Sequence, residues 1–367
     1  MSFNLSVDLY QKISVLGPGA KYDTCGPKDF GKTTEIPGVY HAKVAGNHIC
    51  RLFKVLQTNA CLNNCRYCAF RRDRACLRVS ASPDEMAKAF DSAYSRRLVE
   101  GLFLSSGIAG GPDPAMSRML DTVHLLREKY YYRGYIHLKI MPQSSLSVIR
   151  ESIKLANRIS LNIESPTDES LARLSGEKSL KKGFFHTLSL IKGELKKNFF
   201  ADKKIPSLTT QFVVGAGDEN DGEIVKTTHF LYKNFGLKRV FYSAFRPIDD
   251  TPLANRPAVS LVREHRLYQT DFLMRFYHFS PWDIPLDKNG FLSEMEDPKL
   301  IWARRNPWFF PVDINKASYW DLIKVPGIGP VSAKKIVQIR RQTKVVSLDR
   351  LYNLRFQLSK ISPYLKV

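Results

Sequence analysis

The sequence predicts an α/β fold, a partial (βα)6 barrel followed by a small all-α domain at the C-terminus. Between about residues 50 and 280, short apolar runs alternate with longer segments whose apolar residues recur at helical spacing. From residue 311 the composition changes, and a glycine-containing hairpin sequence separates two helical patterns. Regular strand–helix alternation implies a parallel sheet covered by helices, with the site at the carboxyl ends of the strands.

Six apolar runs define the predicted strands. They are 52–57, 102–105, 135–140, 159–163, 209–214 and 239–243. The segment 83–98 has helical spacing, and Ser82 is its predicted N-cap. A second apolar stripe predicts another core-facing helix surface and consists of Met119, Val123, Leu126 and Tyr130.

Charge points to a polyanionic partner. The 367 residues include 56 Lys and Arg against 35 Asp and Glu, a formal net charge of +21. Such an excess favours nucleic acid, although a merely soluble basic protein is the alternative. No segment has the roughly 18 uninterrupted apolar residues of a membrane span, and the N-terminus lacks a secretory pattern, so no membrane association is expected.

The predicted organisation has four parts. Residues 1–49 are an N-terminal extension packing on the barrel, 50–280 form the barrel, 281–310 connect, and 311–367 form the C-terminal domain. The last part contains 11 basic and 3 acidic residues, so the basic excess continues into it.

Three cysteines, Cys61, Cys65 and Cys68, follow the first predicted strand at C-x3-C-x2-C spacing. Three thiolates on one short loop can hold three irons of a four-iron cluster and leave the fourth without a protein ligand. A structural zinc site would need four ligands, usually from two separated C-x2-C pairs, and the sequence has no second pair. Zinc, or a chance grouping of cysteines, is the alternative interpretation.

With Tyr67 directly before the third cysteine, the motif resembles that of the radical S-adenosylmethionine (SAM) enzymes. The resemblance implies a radical SAM barrel in which Cys61, Cys65 and Cys68 bind a [4Fe–4S] cluster and Tyr67 borders the cofactor. The open iron would bind the methionine end of SAM, and an electron donor such as flavodoxin or ferredoxin is implied. An oxygen-sensitive cluster favours a reducing, cytoplasmic location.

Ser105, Ser106 and Gly107 follow the second predicted strand and are candidates for SAM binding. Their small size lets a ligand approach the backbone. Radical SAM enzymes commonly carry a Gly-Gly-Glu-like segment here, and this chain keeps only its position and small size. An ordinary β-to-α turn is the alternative.

The next strands supply further SAM candidates. Asn162 and Glu164 face the same side by the two-residue strand period, where polar groups are costly unless they meet a ligand or each other. Lys178 lies in a segment similar to one whose basic residue meets the SAM carboxylate, and a solvated lysine is the alternative. Gln211 and Val213 belong to a segment that partly resembles the family's adenine-bordering G-x-I-x-G sequence, with Gln211 in place of the first glycine.

Catalytic residues are not identified by the sequence. Lys139, Tyr242 and Ser243 are candidates for facing the substrate, with a core role as the alternative for Tyr242. The remaining thiols and two imidazoles are scattered, which favours structural or surface roles over a second metal site. They are Cys25, Cys50, Cys76, His41 and His48.

The segment 325–336 closely resembles a helix-hairpin-helix motif. Two glycines permit a tight turn whose backbone N–H groups can bind a phosphate oxygen at a helix N-terminus. The predicted DNA-binding residues are Gly327, Ile328, Gly329, Lys334 and Lys335. Segment 347–357 resembles a second copy without the glycines, and a protein–protein contact is the alternative role for the first.

Further segments, taken in their order along the chain, resemble one particular family within the radical SAM enzymes. They are 21–23, 101–107, 134–139, 242–245, 263–269 and 309–313. With the cysteines and the hairpin, they closely resemble the DNA modification and repair radical SAM family that is linked in genomes to a uracil-DNA-glycosylase-like partner. The resemblance implies a radical SAM barrel joined to a DNA-binding tail, and that glycosylase-like protein as a further partner.

The predicted function is therefore reductive cleavage of SAM at a [4Fe–4S] cluster to repair or modify a base or lesion in DNA. RNA modification is one alternative, since basic hairpins also meet RNA. A non-catalytic or redox-sensing iron–sulfur protein that binds nucleic acid is another. The substrate base, the direction of the chemistry and the fate of SAM are not readable from the residues.

Overall fold

The computed structural model describes residues 7–23, 36–43, 49–201, 205–348 and 361–367. These residues belong to two compact units. Unit 1 comprises Met1–Glu219 and Phe230–Val259, and unit 2 comprises Asn220–His229 and Ser260–Val367. The four-part organisation expected from the sequence, with boundaries at 280 and 310, stays a prediction.

The elements follow one another in a regular order. The strands are β1 (Val39–Lys43), β2 (Ile49–Leu56), β3 (Gly101–Ser105), β4 (Tyr135–Lys139), β5 (Arg158–Ser160), β6 (Ser207–Val214), β7 (Arg239–Ala244), β8 (Val312–Asp313) and β9 (Leu365–Lys366). The helices are α1 (Val7–Gly19), α2 (Pro83–Ser95), α3 (Pro112–Glu128), α4 (Leu146–Leu155), α5 (Asp168–Leu174), α6 (His186–Phe200), α7 (Asp221–Phe235), α8 (Leu261–Phe276), α9 (Pro298–Arg305), α10 (Tyr319–Leu322) and α11 (Pro330–Gln342). Short turns of other helix types are Ala20–Tyr22, Leu180–Phe185, Pro281–Asp283, Pro307–Phe309 and Ser362–Tyr364.

Unit 1 is built on one seven-stranded sheet with the strand order β1 to β7. Strands β2 to β7 are mutually parallel, and β1 pairs antiparallel with β2. The register brings the carboxyl ends together, with Leu56 opposite Ser105 and Val213 opposite Ser243. The predicted α/β partial barrel of six parallel strands is confirmed.

The N-terminal edge differs from the expectation. Strand β1 was not predicted, because its five residues lack a clear apolar alternation. The strand forms by antiparallel hydrogen bonding to β2. Helix α1 packs on β2, and the Tyr40 hydroxyl donates to the Gly17 carbonyl at 3.2 Å. The described part of the N-terminal extension therefore covers one edge of the sheet.

Strand β5 is shorter than predicted. It ends at Ser160, and the chain continues as irregular backbone to Glu164, whose φ is +68°. The Thr210 hydroxyl donates to the Leu161 carbonyl at 2.6 Å and accepts from the Ile163 N–H at 3.2 Å, which ties this stretch to β6. Helix α2 matches its prediction at the N-terminus, where Ser82 and Glu85 form a capping box, but it ends at Ser95.

One buried layer closes the barrel interior. Phe103 and His137 are opposite in the β3–β4 register, and their rings stack 4.2 Å apart. His137 lies 2.9 Å from the Ser160 hydroxyl, and burial lowers the pKa of its imidazole well below 6.5. Ser105 and Lys139 lie two residues further along the same strands and line the cavity described below. The uncharged pair Phe103 and His137 therefore lies one layer below the cavity floor.

Unit 2 has its own apolar core. It includes Ile314, Leu322, Val325, Ile328 and Ile336. Strands β8 and β9 pair in parallel over two residues each, so the predicted all-α tail also contains a short sheet. No helix among the described residues is long and apolar enough to span a membrane.

Candidate active site

A cavity of about 640 Å³ lies in unit 1 at the carboxyl ends of the parallel strands. Most of the predicted site residues line it. They are Cys61, Cys65, Tyr67, Cys68, Ser105, Ser106, Gly107, Lys139, Asn162, Glu164, Lys178, Gln211, Val213 and Ser243. Tyr242 is not among the described lining residues, since its side chain is 1% exposed and stacks on Phe212. The register of the parallel strands explains this convergence of residues that are distant in sequence.

The three cysteines lie on the loop after β2 and carry free thiols. Cys65 is buried and contacts the Ser175 hydroxyl at 3.6 Å, and the Phe70 N–H donates to Cys68 Sγ at 3.4 Å. Burial, followed by the charge of Cys65, raises the pKa of the Cys68 thiol to about 12. Three adjacent thiolates therefore need cationic compensation.

The donor set fits an iron–sulfur cluster. Soft thiolates suit iron–sulfur clusters, and three of them line one side of the cavity. Burial lowers the pKa of Lys178, but the charges of Cys65 and Glu164 more than offset this effect and leave its pKa raised. Within the described ranges, no three His, Cys, Asp or Glu side chains form a site for a single metal ion.

Arg78 organises the cysteine loop, and sequence reasoning did not identify it. Its guanidinium donates to five backbone carbonyls, with distances between 2.6 and 3.4 Å. The acceptors are Asn59, Phe70, Arg71, Arg72 and Arg74. The sequence around Arg78 does not predict this role, because no local pattern is typical of an arginine that donates to carbonyls at both ends of a loop.

Gly107 lets the β3 loop approach the cysteine loop closely. Its N–H donates to the Thr58 carbonyl at 2.7 Å, and the Leu62 N–H donates to the Ile108 carbonyl at 2.8 Å. A Cβ at residue 107 would lie 2.2 Å from the Ala60 carbonyl oxygen. The small residue predicted here is thus required by backbone packing.

The segment after α5 holds the cysteine loop from the other side. The Arg66 N–H donates to the Leu174 carbonyl at 2.8 Å, and the Asn64 N–H donates to the Glu177 carboxylate at 2.7 Å. Lys178 follows directly, and its side chain is only 11% exposed. The structure therefore places Lys178 inside the cavity, unlike a solvated lysine.

Tyr67, Glu164 and Lys178 form a polar cluster beside the cysteines, which we call the loop-side group. The Lys178 ammonium lies 3.7 Å from the Glu164 carboxylate and 6.0 Å from the centre of the Tyr67 ring. Burial and the charge of Glu164 raise the pKa of Tyr67, so its hydroxyl is protonated. The left-handed backbone of Glu164 aims its side chain into this cluster, and its carbonyl accepts from the Val213 N–H at 2.8 Å.

Asp23, Lys139 and Asn162 form a second polar cluster, which we call the Asp23 group. Asp23 accepts from the Lys139 ammonium at 2.6 Å and from the Asn162 amide at 3.3 Å. Burial raises the pKa of Asp23, but the charge of Lys139 more than offsets it, so the pKa is lowered and the pair is ionised. The predicted cofactor residue Gln211 donates to the Tyr22 carbonyl at 2.9 Å, which fixes this N-terminal segment.

Sequence reasoning did not assign Asp23 to the site. The only signal was its position in segment 21–23 of the family resemblance, which carried no role. Asp23 lies 116 residues before Lys139, and its place in the cavity depends on the packing of α1.

The remaining scattered residues have different settings. His41 lines the cavity, and Cys50 and Cys76 are half-buried. Cys76 contacts the Ala69 carbonyl at 3.8 Å. Cys25 and His48 lie outside the described residues.

The hairpin in unit 2 matches the predicted turn. Gly327 has a φ of +82°, and Gly329 precedes α11, whose first residue is Pro330. Lys334 and Lys335 are exposed, whereas the Ile328 side chain is 1% exposed and packs in the core. For Ile328 the predicted DNA contact is therefore limited to the backbone. Most of the predicted second copy, residues 349–357, lies outside the described part of the chain.

Comparisons with known proteins agree with this architecture. The Radical SAM superfamily matches residues 55–231, and a helix-hairpin-helix motif matches residues 310–354. The search of curated proteins found no match.

The solved structures that match this chain have low identity to it and TM-scores below 0.5. "HydG: A maturase of the [FeFe]-hydrogenase" is 14% identical with a TM-score of 0.46, over 59% of this chain and 48% of that one. "Methylornithine synthase (PylB)" is 14% identical with a TM-score of 0.44, over 60% of each chain. The "FeFe-hydrogenase maturase HydG from Carboxydothermus hydrogenoformans" is 15% identical with a TM-score of 0.46, over 82% of this chain and 79% of that one. This chain thus spans about half to four fifths of these proteins, and similarity at this level does not identify an activity.

The two family matches indicate which cofactors the barrel uses and which motif the C-terminal region contains. Radical SAM domains use a [4Fe–4S] cluster and SAM, and three free thiols of the cysteine loop line the cavity. The part of this chain that is similar to the radical SAM superfamily is residues 55–231, and the part that is similar to a helix-hairpin-helix motif is residues 310–354.

Proposed function

We propose that this protein is a radical SAM enzyme that acts on DNA to repair or modify a base or lesion. The observation that carries the proposal is the placement of three free cysteines in a cavity of about 640 Å³, in a chain that also matches a helix-hairpin-helix motif. Cys61, Cys65 and Cys68 would hold the cluster. When bound, the cluster and SAM supply one-electron chemistry that generates a 5′-deoxyadenosyl radical.

The loop-side group provides the contacts that a SAM molecule needs. Lys178 carries a buried ammonium beside the thiols, which suits the SAM carboxylate. Glu164 offers a carboxylate for an ammonium or for hydroxyl groups. The small residues 105–107 let a ligand approach their backbone, and apolar residues complete the walls of the cavity.

The hairpin supports DNA as the substrate. Its turn presents backbone N–H groups at the start of the 13-residue helix α11, and two exposed lysines follow within the first turns. Contacts of this kind position a phosphate backbone without reading sequence. A base in duplex DNA would have to leave the stack to reach a cavity in the barrel.

The test is anaerobic reconstitution with iron and sulfide, followed by dithionite, SAM and nucleic acid. Formation of 5′-deoxyadenosine is measured by mass spectrometry with duplex DNA, duplex RNA or no nucleic acid. We expect wild type to form the product and DNA to stimulate it more than RNA.

The matched control replaces a thiol that does not line the cavity. Cys65→Ala should abolish 5′-deoxyadenosine, whereas Cys76→Ala should retain it, since Cys76 is not a lining residue. If wild type with a verified cluster forms no 5′-deoxyadenosine, the proposal that the protein is a radical SAM enzyme is wrong. Equal or greater stimulation by RNA would instead favour RNA modification.

A further inference from the structure

The Asp23 group lines the same cavity as the cysteine loop. Lys139 is at the end of β4, directly above the layer formed by Phe103 and His137. Lys54, also in the cavity wall, precedes the end of β2 by two residues, and its charge contributes to keeping Asp23 ionised. The group thus lies at the strand ends, and the charges of Glu164 and Lys178 in the loop-side group also act on Lys139.

The Asp23 group is buried and contains both hydrogen-bond donors and a hydrogen-bond acceptor. Asp23 is 7% and Asn162 is 8% exposed, although both line the cavity. The carboxylate accepts from Lys139 and Asn162, and its second oxygen and the remaining N–H groups can serve a ligand. Ser105, also in the wall, is a side-chain hydrogen-bond partner of Asp23 and helps to lower the pKa of its carboxyl group. Buried polar groups such as these are costly unless they are hydrogen-bonded to one another or to a ligand.

The surroundings favour a flat heterocycle over a phosphate. Tyr40, Leu56, Ile140 and Met141 supply apolar wall surface near these polar groups. A phosphate would place a second anion beside the ionised Asp23, which already neutralises Lys139. The edge of a nucleobase instead carries N–H donors beside oxygen or nitrogen acceptors, which matches a carboxylate next to an ammonium and an amide.

We infer that the Asp23 group is the subsite that binds the edge of the substrate nucleobase, with Asp23 accepting from a base N–H while Lys139 and Asn162 donate to a base acceptor. The inference rests on the proposed function, since it names the part of a nucleic acid that enters the cavity. The N-terminal segment thereby contributes a substrate-binding residue to the barrel.

Direct binding tests the inference independently of turnover. Reconstituted protein with SAM and without reductant is dialysed against radiolabelled deoxynucleosides, namely the four DNA nucleosides and deoxyuridine. Wild type should bind at least one of them. Asp23→Asn, which keeps the side-chain shape, should weaken that binding about tenfold or more, because a hydrogen bond to a charged group is lost.

Two further variants keep the result interpretable. Lys139→Met should also weaken binding, while Lys182→Met, which changes an exposed lysine outside the cavity wall, should match wild type. Iron content and the cluster absorption spectrum report whether each variant is folded and loaded. A second dialysis series adds inorganic phosphate as a competitor.

Failure of this inference is distinct from failure of the proposed function. No nucleoside binding by wild type, or equal binding by Asp23→Asn, would overturn the inference even if wild type forms 5′-deoxyadenosine. Displacement of the nucleoside by inorganic phosphate would also overturn it. Absence of 5′-deoxyadenosine from wild type would count against the proposed enzyme whatever the dialysis shows.

Discussion

Arg78 joins the two ends of the cysteine loop through one guanidinium. Its five carbonyl acceptors span residues 59–74, which include all three cysteines. Arginine suits this task because its planar fork presents several N–H donors at once. The side chain positions the thiols without contacting them.

We predict that Arg78→Met lowers the iron content after reconstitution and destabilises unit 1 by at least about 2 kcal/mol, because several carbonyls lose their donor. Urea unfolding and iron analysis measure the two effects. Arg133→Met, at an exposed arginine, is the control and should behave as wild type. Normal iron loading in Arg78→Met would show that the loop orders itself without the guanidinium.

Gly107 provides a second residue-scale prediction. Gly107→Ala would bring a Cβ to 2.2 Å from the Ala60 carbonyl, so the backbone must shift and iron incorporation should fall. Gly193→Ala is the matched control, since it lies in α6 with no atom within 4 Å of the added Cβ and should be neutral or stabilising by up to about 1 kcal/mol. Thermal unfolding and iron analysis compare the pair, and equal behaviour would contradict the close approach.

At the scale of elements, the hairpin and α11 form the proposed phosphate contact. Replacing Lys334 and Lys335 by alanine should weaken duplex binding and reduce the slope of log K against log salt by about 1.8, since two phosphate contacts are removed. Fluorescence anisotropy at several salt concentrations measures the slope. The control replaces the exposed barrel lysines Lys181 and Lys192. An unchanged slope in the hairpin variant would exclude these lysines from the interface.

Helix α9 supports the hairpin through a buried lysine. The Lys299 ammonium donates to the Ile328 carbonyl and lies 4.6 Å from the centre of the Tyr277 ring. Burial lowers the pKa of Lys299 from 10.5 to about 7. The unfolded chain therefore binds more protons than the folded one between these values, so this lysine makes the free energy of unfolding rise as the pH increases from about 7 to 10.5.

Lys299→Met should remove this contribution. We expect its free energy of unfolding to rise less than that of wild type between pH 7 and pH 10, by up to a few kcal/mol. Urea unfolding at several pH values measures both proteins, and the difference between them cancels the other titrating groups. Parallel pH profiles would show that Lys299 keeps an ordinary pKa in the folded protein.

For the whole molecule, the formal net charge of +21 predicts more phosphate contacts than the hairpin alone can make. The salt slope of wild type on duplex DNA should therefore be clearly steeper than the roughly −1.8 that two contacts give. Anisotropy between 50 and 200 mM salt tests this. A wild-type slope near −1.8 would mean that the other basic residues face only solvent.

The sequence by itself determined the features that depend on local patterns. Cysteine spacing indicated the cluster, two-residue and 3.6-residue periods indicated the strands and helices, and paired glycines indicated the hairpin. These features follow from backbone geometry over a few residues, which a single sequence displays directly. Parallel strands then bring their carboxyl ends together, which is why Asn162, Glu164 and Lys139 could be predicted to lie near the cysteines.

Only the tertiary structure decided the features that depend on distant contacts. The pairing of β1, the five carbonyls gathered by Arg78, the burial of Lys178 and the ion pair between Asp23 and Lys139 have no periodic signature. The structure also removed Tyr242 from the cavity wall and placed the Ile328 side chain in a core. A side chain's environment is set by segments that are far apart in sequence, because burial and charge pairing depend on which surfaces the packed elements bring together.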